Sequence, residues 1–177
     1  TTRVIEVIGT RHDLKTKATV VAEFDVPGDA WFYKGNSIDS LMPYSILMEI
    51  ALQPCGFISA WVGTTLQSPE TDLYFRNLDG SGDLLREVDL RGKTITNRSS
   101  VLSTVSAGNT IIQSFEFDLS VDGEDFYKGT AVFGYFLADA LKHQLGMDKG
   151  ELKGPWHQEQ GVDSAQVISL DMKAQDT

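Results

Sequence analysis

One long segment with a helical pattern of apolar residues, at residues 43–62, interrupts a chain that otherwise has the pattern of β-strands. Its apolar side chains recur at helical spacing and lie on several sides, so we predict an α-helix that is buried nearly all round. Pro43 suits the first turn of that helix and Gly63 suits its end. Pro54 removes one backbone hydrogen bond from the interior and should kink the helix. The residues at helical spacing are Ile46, Leu47, Ile50, Ala51, Phe57, Ile58 and Trp61.

Apolar runs on both sides of this helix have the composition and alternation of strands. Two precede it, at residues 4–8 and 18–26, and five follow it, at residues 72–78, 84–90, 93–107, 110–121 and 125–136. Gly- and Asp-containing turns at residues 79–82, 107–109 and 122–124 indicate hairpins, so we expect antiparallel neighbours. The sequence therefore predicts an α+β domain in which a curved antiparallel sheet wraps one long buried helix.

The chain of 177 residues is long enough for one domain with a sizeable core. From Gly146 onward the composition turns polar, so we predict a domain at residues 1–146 and a polar linker or C-terminal tail at residues 147–177. The single cysteine excludes an internal disulfide, and the start has no signal-peptide pattern. We also expect no membrane span, because no apolar run approaches about 20 residues. Together these features predict a cytoplasmic protein.

The formal net charge of −10 argues against a nucleic-acid partner, because binding phosphates requires clustered Lys and Arg. Acidic residues are spread along the chain, which is typical of a surface that favours solubility. An acidic partner would need a local basic patch. The candidates for such a patch are Arg76, Arg86, Arg91, Lys93 and Arg98, which ordinary exposed strands would also carry.

Two polar residues interrupt the apolar helix on one face. Glu49 and Gln53 are four residues apart, so their side chains lie one turn apart. A protonated Glu held by a neighbouring Gln is suited to act as a general acid. The alternative is structural: Glu49 reaches the helix rim and pairs with a Lys or Arg, while Gln53 binds the backbone.

The start of the helix presents the unpaired amides of residues 44–47 and the positive end of the helix dipole. Such a terminus can stabilise a carbonyl oxygen that gains negative charge, or it can be an ordinary helix start capped by Ser45 or water. Cys55 lies in the helix with no His near it in sequence and is interpreted as a small buried apolar residue. None of the three histidines has metal-ligand spacing, so we expect no metal and no cofactor.

Taken as a set, these residues resemble the β-hydroxyacyl-acyl carrier protein dehydratase/isomerases, and most closely the dehydratase domains of polyunsaturated fatty acid synthases. The resemblance covers about residues 18–137 and begins at Asp29-Ala30-Trp31-Phe32-Tyr33, which is similar to the family's D-x-W-F-F. It continues through Met42-Pro43 at the helix start, Glu49 where the family has its catalytic Asp, and Gln53 where it has Gln. Gly56-Phe57 and the later strands at residues 72–77 and 128–136 follow in order.

The resemblance implies a hot-dog fold that works as a homodimer or as a tandem pseudo-dimer, with an acyl chain in a tunnel between the halves. Its substrate is a (3R)-hydroxyacyl group on an acyl carrier protein, and its product is the trans-2-enoyl thioester. A carboxylate of one half, here Glu49 oriented by Gln53, protonates the leaving hydroxyl, and a His of the other half removes the α-proton. The resemblance places Tyr44, Ser45, Ile46, Asn36, Trp31 and Tyr33 around the thioester carbonyl and the tunnel.

One departure from the family pattern affects the chemistry. The family's His lies in the loop before Met-Pro, but the loop at residues 34–41 contains no His, and Gly35 and Asn36 stand near its expected position. The family's Gly-Cys after Met-Pro is here Tyr44-Ser45. Asn cannot act as a general base, so we predict a hydro-lyase half-site completed by a second, His-bearing hot dog.

Two other functions fit the same residues. In one, the chain is a catalytically silent hot dog that pairs with an active domain or binds an acyl carrier protein. In the other, it is a hot-dog thioesterase in which the helix carboxylate activates water. The sequence does not specify the acyl chain length, whether the double bond is also isomerised, or the flanking domains.

Overall fold

A computed structural model describes residues 1–34, 41–67, 69–142, 145, 149–151, 154, 160 and 161. The chain separates into two compact units, Thr1–Lys142 and His143–Thr177. In the first unit the strands are β1 (Arg3–Ile8), β2 (Thr19–Asp25), β3 (Leu73–Leu84), β4 (Thr94–Ala107), β5 (Thr110–Val121) and β6 (Glu124–Leu137). Its helices are α1 (Tyr44–Trp61) and the short α2 (Ala138–Lys142), and 3-10 turns occur at Trp31–Tyr33 and Thr64–Gln67.

The six strands form one antiparallel sheet in the order β1-β2-β4-β5-β6-β3. Helix α1 connects β2 to β3, and it packs against β4 and β2 and, less extensively, against β5. The core lies between this helix and the sheet, and its fully buried side chains include Val20, Ile58, Ile95, Phe115 and Leu119. The predicted α+β architecture, one long helix held by an antiparallel sheet, is confirmed.

The helix bounds follow from the residues at its ends. Pro43 is the N-cap, outside the helical backbone, and α1 runs 18 residues from Tyr44 to Trp61. Gly63 has a φ of +78°, the left-handed conformation that commonly follows a helix C-terminus and that glycine adopts at little cost. Asp122 and Gly123, between β5 and β6, both have positive φ, as a two-residue type I′ hairpin requires. The predicted hairpin at this point is confirmed.

The prediction of a hairpin turn at residues 79–82 is wrong. Strand β3 continues through this segment, paired with β6 and with only a register shift between Asn77 and Asp79. Gly82 serves close packing here, because a Cβ at this residue would overlap the hydroxyl group of Tyr127. Residues 85–90, predicted as part of a separate strand, lie outside the sheet.

Helix α1 is also less buried than predicted. The sheet covers one side of it, including Leu47, Ala51, Cys55 and Ile58, while an opposite face is exposed: Tyr44, Ser45, Glu49, Gln53, Gly56, Phe57 and Ala60. By length and composition alone, Tyr44–Gln67 could cross a membrane, a property that the central helix of a folded domain also has. Half of its most apolar 18-residue part is buried inside the fold, as is usual for a core helix.

The carbonyl that Pro54 leaves without its helical partner is satisfied from the sheet. Proline has no N–H to donate to the carbonyl oxygen of Ile50, one turn earlier. The buried side chain of Asn97 on β4 donates from Nδ2 to that oxygen at 3.1 Å and to the oxygen of Ala51 at 3.2 Å. Ser99 in turn donates to Asn97 Oδ1 at 2.7 Å. This hydrogen-bonded clip joins the middle of the helix to the central part of the sheet.

Candidate active site

The predicted acid and its partner lie together on the exposed face of α1. Gln53 Nε2 donates to Glu49 Oε1 at 3.2 Å, across one helical turn. Both side chains border a groove of about 320 Å³ between the helix and the β3–β6 edge, whose other walls are Leu52, Gly56, Phe75, Asn77 and Phe133. We call this space the Glu49 groove. It combines one carboxylate and two amides with apolar walls, the composition of a site for an apolar ligand with one reactive polar end.

The start of α1 provides free amides about one helical turn before Glu49. Pro43 accepts hydrogen bonds from the amides of Ile46 at 3.0 Å and Leu47 at 3.1 Å, so these two N–H groups are used within the helix start. The Tyr44 and Ser45 amides donate to no other backbone group outside the helix among the described residues, and no side chain caps them. Of the three residues predicted for the carbonyl site, Tyr44 and Ser45 therefore have amides available to a ligand, whereas the Ile46 amide is already used by Pro43.

The aromatic residues predicted for the site lie elsewhere. Trp31 and Tyr33 are in a 3-10 turn, and neither is among the described residues that line the Glu49 groove. The side chain of Trp31 is 75% exposed, whereas Tyr33 is buried. The guanidinium carbon of Arg91 lies over the Tyr33 ring, 5.9 Å from the ring centroid. Asn36, which stands near the family's His position, falls outside the described residues.

The structure gives no reactive role to Cys55 and brings no histidine to the groove among the residues it describes. Burial raises the pKa of the Cys55 thiol to about 12, so it stays protonated and acts as a small apolar core residue. His12 lies at the far end of α1, where its amide donates to the oxygen of Trp61 at 3.1 Å. His143 and His157 fall outside the described residues.

The candidate basic patch is largely neutralised by neighbouring acids. Arg86 pairs with Glu124 at 3.4 Å, and Lys93 pairs with Asp122 at 2.6 Å. Arg91 likewise lies 2.6 Å from Asp89. These pairs are exposed and therefore weak, yet each places a negative charge beside the positive one. Arg76 and Arg98 are in no such pair among the described residues, so three of the five candidate charges are compensated locally.

A buried polar network that no sequence pattern predicted lies near the groove. Ser59 is its centre, and its Oγ donates to Gln113 Oε1 at 2.5 Å and contacts the hydroxyl of Tyr135. Gln113 Nε2 donates to Thr104 Oγ1 at 2.9 Å, and the hydroxyl oxygens of Ser59 and Thr64 lie 3.1 Å apart. Its members come from α1, the following turn and three strands, so no local motif in the sequence indicates it.

Gly56 lies inside a helix, where glycine lowers stability, and no neighbouring atom requires a residue without a side chain at this position. A Cβ at this residue would meet no atom within 4 Å, since it would point into the groove. We therefore expect Gly56→Ala to raise the free energy of unfolding by about 0.5–1 kcal/mol, because alanine loses less backbone entropy in a helix. Urea denaturation tests this, with Gly28→Ala, another glycine with open space around its Cβ, as the non-helical control. A loss of stability would show that the groove face of α1 is too crowded for a methyl group.

No protein-family model matches the chain. A polyunsaturated fatty acid synthase subunit from Thraustochytrium sp. (strain ATCC 26185 / S-3) is 45% identical to it over 159 residues, which cover 89% of this chain. The chain spans 11% of the length of that subunit. The similarity is therefore to one segment of a much larger protein.

Solved structures share the fold at low sequence identity. A putative thioesterase from Lactococcus lactis has a TM-score of 0.53 at 10% identity, over 77% of this chain and 94% of that protein. A hot-dog-like protein from Thermanaerovibrio acidaminovorans has a TM-score of 0.50 at 15% identity, over 70% and 84%. A hypothetical thioesterase from Streptococcus pneumoniae with coenzyme A also has a TM-score of 0.50 at 15% identity, over 75% and 85%. The chain is thus a hot-dog-fold domain homologous to one segment of a polyunsaturated fatty acid synthase subunit.

Proposed function

We propose that this domain is one half of a dehydratase site that removes water from a (3R)-hydroxyacyl group carried on an acyl carrier protein. The observation that carries the proposal is the hydrogen-bonded Glu49–Gln53 pair, held on the open face of the helix and bordering an apolar groove. Similarity to a segment of a polyunsaturated fatty acid synthase supports an acyl thioester as the substrate.

In the proposed reaction, residues at successive positions along α1 have different roles. The thioester oxygen accepts hydrogen bonds from the amides of Tyr44 and Ser45, where the helix dipole stabilises the negative charge that develops. Glu49 is five residues further along, about 7.5 Å of helix, which suits the β-hydroxyl of the same substrate. Gln53 holds the carboxyl group in position, and the apolar walls of the Glu49 groove take the acyl chain.

The reaction requires a base that this helix does not supply. A histidine of a second hot dog removes the α-proton, and that electron pair forms the double bond as the bond from the β-carbon to oxygen breaks. The proton of Glu49 goes to the departing hydroxyl, which leaves as water, and the product is the trans-2-enoyl thioester. A second domain that covers the groove would also keep bulk water away from the reacting groups.

The surface available for that second domain is apolar. Along β3 at the edge of the sheet, Tyr74, Phe75 and Leu78 are each nearly half exposed, and Phe57 on α1 is 40% exposed. An edge strand with unpaired backbone groups favours pairing with another strand. We propose that a second hot dog, either another copy or a tandem domain, covers this face and closes the Glu49 groove.

The proposal is tested by identifying the product formed from a (3R)-3-hydroxyacyl pantetheine thioester. We expect no reaction with the isolated chain and enoyl thioester when a His-bearing hot-dog domain of the same synthase is added. Absorbance of the enoyl thioester and titration of free thiol distinguish dehydration from hydrolysis.

Two other results would each contradict the proposal. Release of free acid and thiol would instead make the chain a thioesterase, which the exposure of Glu49 to water in the single chain favours. If neither the isolated chain nor the two-domain mixture gives a product, the chain is a catalytically silent hot dog that serves only as a partner.

A further inference from the structure

The Glu49 groove continues into a second cavity further along α1. This cavity, of about 250 Å³, is lined by residues that include Ser59, Ala60, Thr64 and Tyr135. Gly56 and Phe75 border both spaces, so the two meet at these residues. We call the second space the distal chamber. A ligand that lies along the helix from Glu49 past Gly56 would extend into the distal chamber.

The floor of the distal chamber belongs to the buried polar network. The side chains of Ser59, Thr64 and Gln113 are each 1% exposed or less, and Tyr135 is 7% exposed. Burial raises the pKa of the Tyr135 hydroxyl above its ordinary value, so this group keeps its proton as a donor. An apolar groove therefore leads to a chamber whose wall contains buried hydroxyl groups.

Counting hydrogens shows what these hydroxyl groups can accept. Thr64 donates its hydrogen to the backbone oxygen of Ser59 at 2.9 Å, and Ser59 donates its own to Gln113 at 2.5 Å. Because Ser59 has no second hydrogen, Tyr135 is the donor in the contact between its hydroxyl group and Ser59 Oγ. Thr64 Oγ1 and the Tyr135 oxygen keep lone pairs and have no hydrogen to offer the chamber. A ligand atom that reaches these oxygens therefore meets groups that can only accept a hydrogen bond, which a terminal methyl group cannot donate.

We propose that the distal chamber receives the far end of the acyl chain and that its polar floor, formed by Ser59, Thr64 and Tyr135, sets the longest chain that the domain accepts. The inference rests on the proposed function for the identity of the occupant, an acyl thioester. It deepens that function by assigning chain-length selection to named residues outside the Glu49–Gln53 pair.

The geometry places this limit at a definite depth. Ser59 is ten residues beyond Glu49 on the same helix, which corresponds to about 15 Å. Each methylene group buried along an apolar wall raises affinity about fourfold. A chain long enough to reach Ser59, Thr64 and Tyr135 packs against hydroxyl groups that a methyl group cannot satisfy, so further lengthening gains no affinity.

The test measures binding and not turnover, so it stands apart from the dehydration assay. The isolated chain is titrated with saturated acyl-pantetheine thioesters of increasing length, by calorimetry. In the wild type we expect affinity to rise about fourfold per carbon and then level off at a break. Tyr135→Phe removes one acceptor while Ser59 keeps its bond to Gln113, and thioesters longer than the break should bind at least about fourfold tighter. Gly56→Leu should move the break to shorter chains.

Tyr74→Phe is the matched control, because it deletes the same hydroxyl group from an exposed residue of β3. Its binding profile should coincide with that of the wild type, and thermal melts of all variants identify any that fails to fold. The proposal is overturned if Tyr135→Phe has the wild-type break, or if Gly56→Leu leaves the break in place. It is also overturned if thioesters of no length bind. An enoyl product in the separate assay would still support the dehydratase function in each of these cases.

Discussion

In the assembled two-domain protein, Glu49→Gln is expected to lower kcat for dehydration by at least about 100-fold, the usual contribution of a positioned general acid. Gln has the size of Glu and can still bond to Gln53, so the substitution removes the transferable proton and preserves the shape of the groove. KM should change little, because the acyl chain and the thioester oxygen contact other residues. Steady-state kinetics on a (3R)-3-hydroxyacyl thioester measure both constants.

Glu6→Gln provides the matched control for this substitution. Glu6 is exposed on β1, outside the residues that line the groove, and the same chemical change there should leave kcat unaltered. If Glu49→Gln has the activity of the wild type, the acidic helix is structural and the chemistry belongs entirely to another domain. If both substitutions lower kcat equally, the effect comes from surface charge.

The central helix could be predicted from the sequence because its signals are local. Pro43 and Gly63 define its ends within a residue of the observed bounds, and the four-residue spacing of Glu49 and Gln53 places them on one face. Each of these inferences depends only on backbone geometry along one element. The fold class followed from the same helix together with the alternating strands that flank it.

The errors arose where one element depends on a distant one. Gly80 and Gly82 have the composition of a turn, but close packing on β6 is what requires Gly82. The exposed face of α1 is apolar enough to be mistaken for a buried one, because nothing in the helix itself shows how far the sheet extends. The chamber floor joins Ser59 to Gln113 and Tyr135 across more than fifty residues, a distance at which spacing carries no information.

Loss of the clip between Asn97 and the helix should have the largest effect on stability, and the effect should depend on Pro54. We expect Asn97→Ala to lower the free energy of unfolding by about 2–4 kcal/mol, because it leaves the buried oxygen of Ile50 unsatisfied and opens a small cavity. In a Pro54→Ala background the new amide at residue 54 can donate to that oxygen. The cost of Asn97→Ala should then fall by about 1–2 kcal/mol.

Urea denaturation of the four proteins of this double-mutant cycle measures the coupling directly. Asn109→Ala, in the exposed turn between β4 and β5, should change stability by no more than about 0.5 kcal/mol and controls for the loss of an amide side chain. Equal costs of Asn97→Ala in both backgrounds would mean that Asn97 stabilises the sheet independently of the proline. A coupling of the expected sign would show that a side chain of β4 replaces the hydrogen bond that Pro54 removes, which lets a proline remain in the middle of the helix that carries Glu49.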